Sequence, residues 1–449
     1  MLGDSRDDSG AFKRSFLIAY GSGSIGTAAF FVVPQLFLLY VSTEYLGIPA
    51  AWASVALFFP RIWEFFIDPV IGRVSDGWSG RWGRRRPFLI IGSLAFAVTF
   101  IALFSPPKFD SWVLDFIYLF ATYFLCTTAF AIFAVPYLTV PAEIAKNKDE
   151  RTRIVSYRMA GSSIGLVVAG VAGPILVSAF GDTLSAYGKM AFGLTIPFLA
   201  CMLLPAWALA GVPEQPVAKA GFKLSEAKNV VLRNRKYLAL TGVFMAQTVA
   251  SGASLALLPY FNTYSLKQET SHMSVLYILI TVGMLCGLPL WTRCAVWTGK
   301  TNSYVLALLA YTLGCMALVL TPDAGAAVYG FVFMLIGFAL GGTQLIAFSL
   351  FPDTLLEDGS GQKYEGLFTG VWISIDSLGV ALGVASAGTF LAISSYDASR
   401  DVQTLALGTE ILIASSVGVG LIALLATLLA VRFRCYPGRT GDDATPQTG

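Results

Sequence analysis

Charge is scarce in this chain. Only 13% of its 449 residues are Asp, Glu, Lys or Arg, while 56% are hydrophobic. Soluble domains carry about 25% charged residues, so an ordinary water-soluble fold is excluded. Histidine is nearly absent: His272 stands alone, which argues against histidine-based catalysis or metal binding, and its place at a predicted helix edge reads as a surface role. The six cysteines (126, 201, 286, 294, 315, 435) contain no C-x-x-C pair and read as small packing residues, not as a disulfide framework. There is no Walker A run, no G-x-G-x-x-G after a strand and no H-E-x-x-H, so no enzyme is indicated. The first ten residues are polar and acidic, and the first apolar run is long enough to cross, so no cleavable signal peptide is expected.

Long apolar runs are what the chain has instead. Twelve segments suffice to span a bilayer, at roughly 16–41, 50–74, 87–104, 112–140, 156–179, 191–210, 237–264, 271–291, 303–320, 326–350, 366–391 and 409–433. An even number puts both termini on one side. With Lys13 and Arg14 placed inside, 24 of the 30 basic residues fall in inner loops and tails, and only Lys108, Lys189, Lys267 and Arg400 lie outside. That asymmetry predicts cytoplasmic termini. The basic stretch 212–236 separates six spans (1–211) from six more (237–435), with a tail at 436–449. The expected fold is therefore all-α, with twelve transmembrane helices in two six-helix bundles. This is the outline of transporters that bind cargo near the midplane between halves. No clear sequence repetition between the halves is visible.

Two acids stand inside the second span. Arg61, Glu64 and Asp68 are spaced i, i+3 and i+7 and so share one helical face. A carboxylate at that depth costs roughly 2.5–3.5 kcal/mol on insertion scales, which points to binding a cation, moving a proton or holding a polar solute. Arg61 partly offsets Glu64 within its own helix. Two carboxylates can offer oxygen ligands to Na⁺ or share a proton, and the residues do not choose between these. Asp376 is the one clear acid within the later spans, and Arg158 is a second basic residue at membrane depth. Gln35, Tyr137, Tyr157, Gln247, Tyr260, Asn262, Gln344 and Trp372 are the polar and aromatic side chains able to meet a solute, although each alone also fits interhelical packing.

At the inner end of the second span the chain reads DPVIGRVSDGWSGRWGRRRPF from Asp68 to Phe88. Gly72 would allow close helix approach. Asp76 can accept hydrogen bonds from Arg84, Arg85 or Arg86, forming a charged cytoplasmic latch.

That run resembles the signature between the second and third spans of the major facilitator superfamily. More narrowly, it resembles that of the glycoside–pentoside–hexuronide:cation symporters, the family of melibiose permease. The blocks VPYLTVPAEI (135–144) and KDERTRIVSYRMAGSSIG (148–165) resemble the same family, and the similarity extends weakly to Asp353 and to 365–377. RWGRRRPF is also similar to sucrose transporters, and the VPY block to lysolipid transporters of eukaryotes. The resemblance implies a cation site on Glu64 and Asp68, since RIWEFFIDP (61–69) matches the family's acidic run, and it matches Arg158 to a basic residue of the fifth span. Three positions depart from the galactoside-binding pattern: Ala28 and Ala134 stand where acids are expected, and the eleventh-span lysine falls near Ser377, beside Asp376.

The sequence thus predicts a secondary active transporter coupling Na⁺ or H⁺ to a sugar or glycoside, with no other cofactor. Glu64 and Asp68 would bind the cation, as metal ligands if it is Na⁺. Arg61, Tyr137, Arg158, Gln344, Trp372 and Asp376 would contact the solute or gate its path, and Gly72, Asp76 and Arg84–Arg86 would latch the inner side. Its partners would be a small solute and the lipid bilayer, with no nucleic acid, as a monomer in a bacterial inner membrane. A lysolipid or other amphiphile is the alternative cargo. A non-transporting receptor or scaffold is a third reading.

Overall fold

Apolar sequence this long cannot leave its amides unpaired in lipid, so it winds into helices whose hydrogen bonds are internal. The computed structural model describes residues 12–78, 80–107, 109–210, 212, 231–232, 234–322, 324–356, 361–397 and 406–434, without the side chains of 148, 355–356, 361–367 and 434. Twelve of its helices are long and apolar enough to cross a membrane. They are α1 (Arg14–Tyr45), α2 (Ala50–Gly77), α3 (Arg86–Phe104), α4 (Trp112–Ile144), α5 (Asp149–Ala179), α6 (Leu184–Ala208), α7 (Arg235–Ser265), α8 (His272–Thr298), α9 (Lys300–Leu320), α10 (Ala326–Thr354), α11 (Phe368–Ile393) and α12 (Leu407–Phe433). Most of the predicted central loop, the tail from 436 onward and Cys435 lie outside the described residues.

Local chemistry sets the ends. The side chain of Asn147 accepts from the Glu150 amide at 2.8 Å, and the Glu150 carboxylate accepts from the Lys146 amide at 2.8 Å. This reciprocal cap starts α5 well before its apolar run. The helix therefore begins directly after Asn147, not near 156, its charged first two turns preceding the apolar part. Ser111 caps α4, and Pro87 occupies the first turn of α3. Prolines inside α2 (Pro60, Pro69) and α4 (Pro136, Pro141) are accommodated without breaking either helix. Hydroxyls within the spans bond back to carbonyls of their own helix, as Ser93 does to Leu89 and Thr195 to Ala191.

Contacts divide the described residues into two compact units. The first lies within Met1–Lys219, Leu255–Ile278 and Val384–Ile411, and the second within Ala220–Ser254, Leu279–Gly383 and Leu412–Gly449. The ends of α7 and α11 and the start of α8 thus belong with the first unit.

Each unit contains helix pairs packed through glycines, and one of them has the same form in both. In the first, α5 lies on α1 where Gly161 and Gly165 leave no room for a side chain: a Cβ on either would come within 2.3 Å of the carbonyl oxygens of Gly21 and Ile25. In the second, α11 lies on α7 in the same manner, with Gly383 facing the Val249 carbonyl, also at 2.3 Å. Small residues one turn apart are how helices approach in lipid, where apolar burial supplies no drive. The parallel between α1/α5 and α7/α11 is a repeat that the sequence conceals, because backbone proximity is kept while side chains differ.

Candidate coupling site and an ion-pair cluster at the helix ends

Arg61 and Glu64 project from the middle of α2 and are both buried, at 6% and 9% exposure. Arg61 Nη1 donates to Glu64 Oε1 at 3.1 Å. The guanidinium lies 4.5 Å from the ring centre of Phe30 on α1, with Phe31 and Tyr123 within 6 Å. Rings facing a cation on several sides stabilise it in a dry setting. Nη2 of Arg61 has no hydrogen-bond partner, so the pair is not fully satisfied. Trp63 Nε1 donates to Thr128 Oγ1 at 3.0 Å and ties this stretch of α2 to α4.

Asp68 is different. It lies one turn beyond Glu64, is exposed, and makes no hydrogen bond or ion pair among the described residues. The sequence suggests a doubly negative site. The structure presents one neutralised pair and one free carboxylate, because Glu64 is consumed by its own helix neighbour. Net negative charge at the site comes from Asp68.

Tyr137 is buried, and its hydroxyl donates to the Tyr20 carbonyl at 2.7 Å, holding α4 to α1. Arg158 is half-buried, with its guanidinium 5.3 Å from the Tyr137 ring centre and a buried Nε without a hydrogen-bond partner. Trp372 is 1% exposed and stacks on Phe244 at 4.1 Å, with Phe351 at 5.1 Å; no ring face is left open for a solute in this state. Gln344 and Asp376 are half-buried. Gln247 accepts from Tyr304 at 2.7 Å. Asn262 receives a bond from the Nδ1 of His272 at 3.0 Å and donates to the carbonyls of Gln268 and Glu269. His272 is therefore a partner in a structural cap rather than a plain surface residue.

At the Gly77 end of α2 the arginines do not act alike. Arg85, immediately before α3, is buried and central. It bonds Asp76 Oδ1 and Ser75 Oγ on α2, and Glu143 at the end of α4, with Nε–Oε1 at 3.0 Å. Arg84 meets the same Glu143 oxygen at 2.8 Å. Burial works against the charge on Arg85, but the Glu143 and Asp76 carboxylates more than offset it and hold the guanidinium pKa above its ordinary value. Arg86 donates instead to the Ala206 carbonyl on α6 at 2.7 Å. Gly72 is not tightly packed: a Cβ there would lie 3.7 Å from Val135, an ordinary contact. Glu143 is the functional-looking residue that the sequence reading passed over. Its signal is an acid at the end of α4 that span counting puts on the same side as Arg84–Arg86. A counterpart joins α9 to α10, where Lys300 Nζ meets Asp353 Oδ2 at 2.6 Å.

Twelve spans, ionisable side chains at membrane depth and an ion-pair cluster at one membrane face define a transporter. The chain is no enzyme but a multi-pass integral membrane protein. Residues 19–436 match the family of MFS/sugar transport proteins, and the chain belongs to it, within the glycoside–pentoside–hexuronide:cation symporters. It is similar to the putative glycoside/cation symporter YagG of Escherichia coli, at 26% identity over 88% of this chain and 86% of YagG. It is also similar to the sodium-dependent lysophosphatidylcholine symporter 1-A of Danio rerio, at 24% identity over 89% and 81% of the two chains. Among solved structures the nucleoside transporter NupG superposes with a TM-score of 0.64 at 14% identity, covering 95% of this chain and all of NupG, which shows the major facilitator fold.

Proposed function

We propose that this transporter couples the entry of a sugar or glycoside to Na⁺ or H⁺, by alternating access between two six-helix halves, 1–211 and 237–435. The observation that carries this reading is Asp68: a carboxylate at membrane depth, unpaired among the described residues, one turn from a pair already neutralised. An isolated carboxylate in low-dielectric surroundings is costly, and a small cation relieves that cost. Coupling follows if closure around the solute desolvates Asp68, since the occluded state is then reached more readily with the cation in place. Arg158 contacts the solute or gates its path, and Asp376 has the same role in its own unit. The Arg85–Glu143–Asp76 cluster holds the cytoplasmic ends of α2, α3 and α4 together in one conformation and loosens in the other. The basic loops support cytoplasmic termini, and the bacterial symporters among its relatives support a bacterial inner membrane.

A second cargo is favoured by specific residues. Ala28 and Ala134 leave those two positions without hydrogen-bond acceptors for sugar hydroxyls, and one relative at 24% identity is named as a lysophosphatidylcholine symporter. Purified protein in liposomes, given sugars, glycosides and lysolipids with and without Na⁺ and at two pH values, separates the readings. The proposal expects sugar or glycoside uptake that rises with an imposed Na⁺ or H⁺ gradient. Gradient-driven uptake of the lysolipids alone would replace the sugar assignment, and uptake indifferent to both gradients would remove the coupling.

A further inference from the structure

The outer ends of α1 and α7 repeat one another. Tyr40, Ser42, Thr43 and Leu46 find counterparts in Tyr260, Asn262, Thr263 and Leu266, at the spacing of 220 residues that also separates Glu44 from Tyr264. Both ends widen into a single π turn, over 41–45 and 261–265. Leu46 N donates to the Val41 carbonyl at 3.2 Å and Leu266 N to the Phe261 carbonyl at 2.9 Å. The next bonds also match, Ile48 to the Ser42 carbonyl and Gln268 to the Asn262 carbonyl, both at 3.0 Å. Single π turns in otherwise regular helices are frequent at functional sites.

These two ends bond to each other reciprocally. Tyr40 meets Thr263 at 3.2 Å, and Tyr260 meets Thr43 at 2.5 Å. The Thr43 hydroxyl already donates to the Leu39 carbonyl at 3.1 Å, so Tyr260 is the donor of its pair. The rings of Tyr40 and Tyr260 meet edge to face at 5.1 Å. Tyr264, the counterpart of Glu44, donates to the Glu44 carboxylate at 2.7 Å. All six residues lie within the first compact unit. Two further joints accompany them there: Ser274 on α8 donates to the Val171 carbonyl on α5 at 2.9 Å, and Gly388 on α11 faces Ser54 on α2 with no space for a Cβ.

A joint made for permanence would be interdigitated and apolar. This one is a row of side-chain hydrogen bonds, each of small net worth and each replaceable by water once the ends part. We propose that the Tyr40–Thr263, Tyr260–Thr43 and Tyr264–Glu44 pairs form a latch that closes the outer side of the transport path and releases as a unit. The outer side is named from the orientation proposed above, and the latch itself rests on alternating access, not on the identity of cargo or ion.

The test reads access beneath the latch. Ala256 is buried one turn below Tyr260 on α7, so Ala256→Cys in the full-length protein reports outer access to a membrane-impermeant maleimide, with labelling of the parent protein subtracted. The latch predicts slow labelling in that background. Adding Tyr40→Phe with Tyr260→Phe removes two hydroxyls and keeps both rings, and labelling should rise about tenfold. Thr43→Val with Thr263→Val deletes the same bonds from the other partners and should match it. Glu44→Gln retains an acceptor for Tyr264 and should label close to the slow rate of Ala256→Cys alone. If either pair of substitutions gives monodisperse protein that labels no faster than Ala256→Cys, the joint is ordinary packing and the proposal is overturned. The readout needs no transported solute, so its failure is separable from failure of the coupling scheme.

Discussion

Arg61 shows how a single residue changes the meaning of its neighbours. Its guanidinium is 6% exposed and paired with Glu64. Removing one partner of a buried pair leaves the other charge uncompensated, at a cost of about 3–5 kcal/mol, whereas replacing both by apolar residues is often neutral. Glu64→Gln alone should therefore lower the melting temperature of the purified protein markedly, and Arg61→Met with Glu64→Met should recover most of the loss, as thermal unfolding in detergent would show. Equal losses in the single and double variants would mean that the pair does more than balance itself. The sequence exposed the i, i+3 spacing of these two residues but not which acid was left free, since that depends on burial. Glu143 and Glu44 were illegible for another reason. Their partners lie 58 residues before and 220 residues after them in the chain, and only the fold brings them together.

Among the elements, helix existence was easy to read and helix contact was not. Apolar runs marked all twelve spans, while the start of α5 was missed because its cap, Asn147 with Glu150, precedes charged turns that resemble a loop. Glycine roles were the least legible. Gly72 sits in the motif that looks most specific, yet a Cβ there finds 3.7 Å of space, whereas one at Gly165 would lie 2.3 Å from the Ile25 carbonyl. Gly72→Ala should leave stability unchanged or raise it by up to about 1 kcal/mol, from helix propensity alone. Gly165→Val should force α1 and α5 apart and cost folded yield, since backbone cannot yield as a flexible side chain does. Yield and melting temperature of the two variants, measured side by side, test this reading.

For the whole molecule, the distribution of charge reaches beyond any one helix. Arg85 gathers Ser75, Asp76 and Glu143 into one cluster at the ends of α2 and α4. Glu143→Gln should weaken that cluster more than Asp76→Asn, because Glu143 also holds Arg84 and is itself buried while Asp76 is exposed. Inner-side cysteine labelling should rise further in the former. The membrane class, the number of spans and the motif between α2 and α3 could all be read from sequence, because they follow from composition and local order. The repeat between α1 and α7 could not, because it survives as bond geometry and a few hydroxyls scattered among unrelated apolar residues.

The central claim is that Asp68 carries the charge a coupling cation must neutralise. Its most direct test is the thermal stability of purified wild-type protein and of Asp68→Asn, titrated with Na⁺ at fixed pH and then with pH at fixed salt. A cation at 100 times its dissociation constant stabilises the state it binds by about 2.7 kcal/mol, a shift of several degrees. The account predicts that shift in the wild type, in one titration or the other, and a flat response in Asp68→Asn. A variant that keeps the full wild-type shift would contradict it.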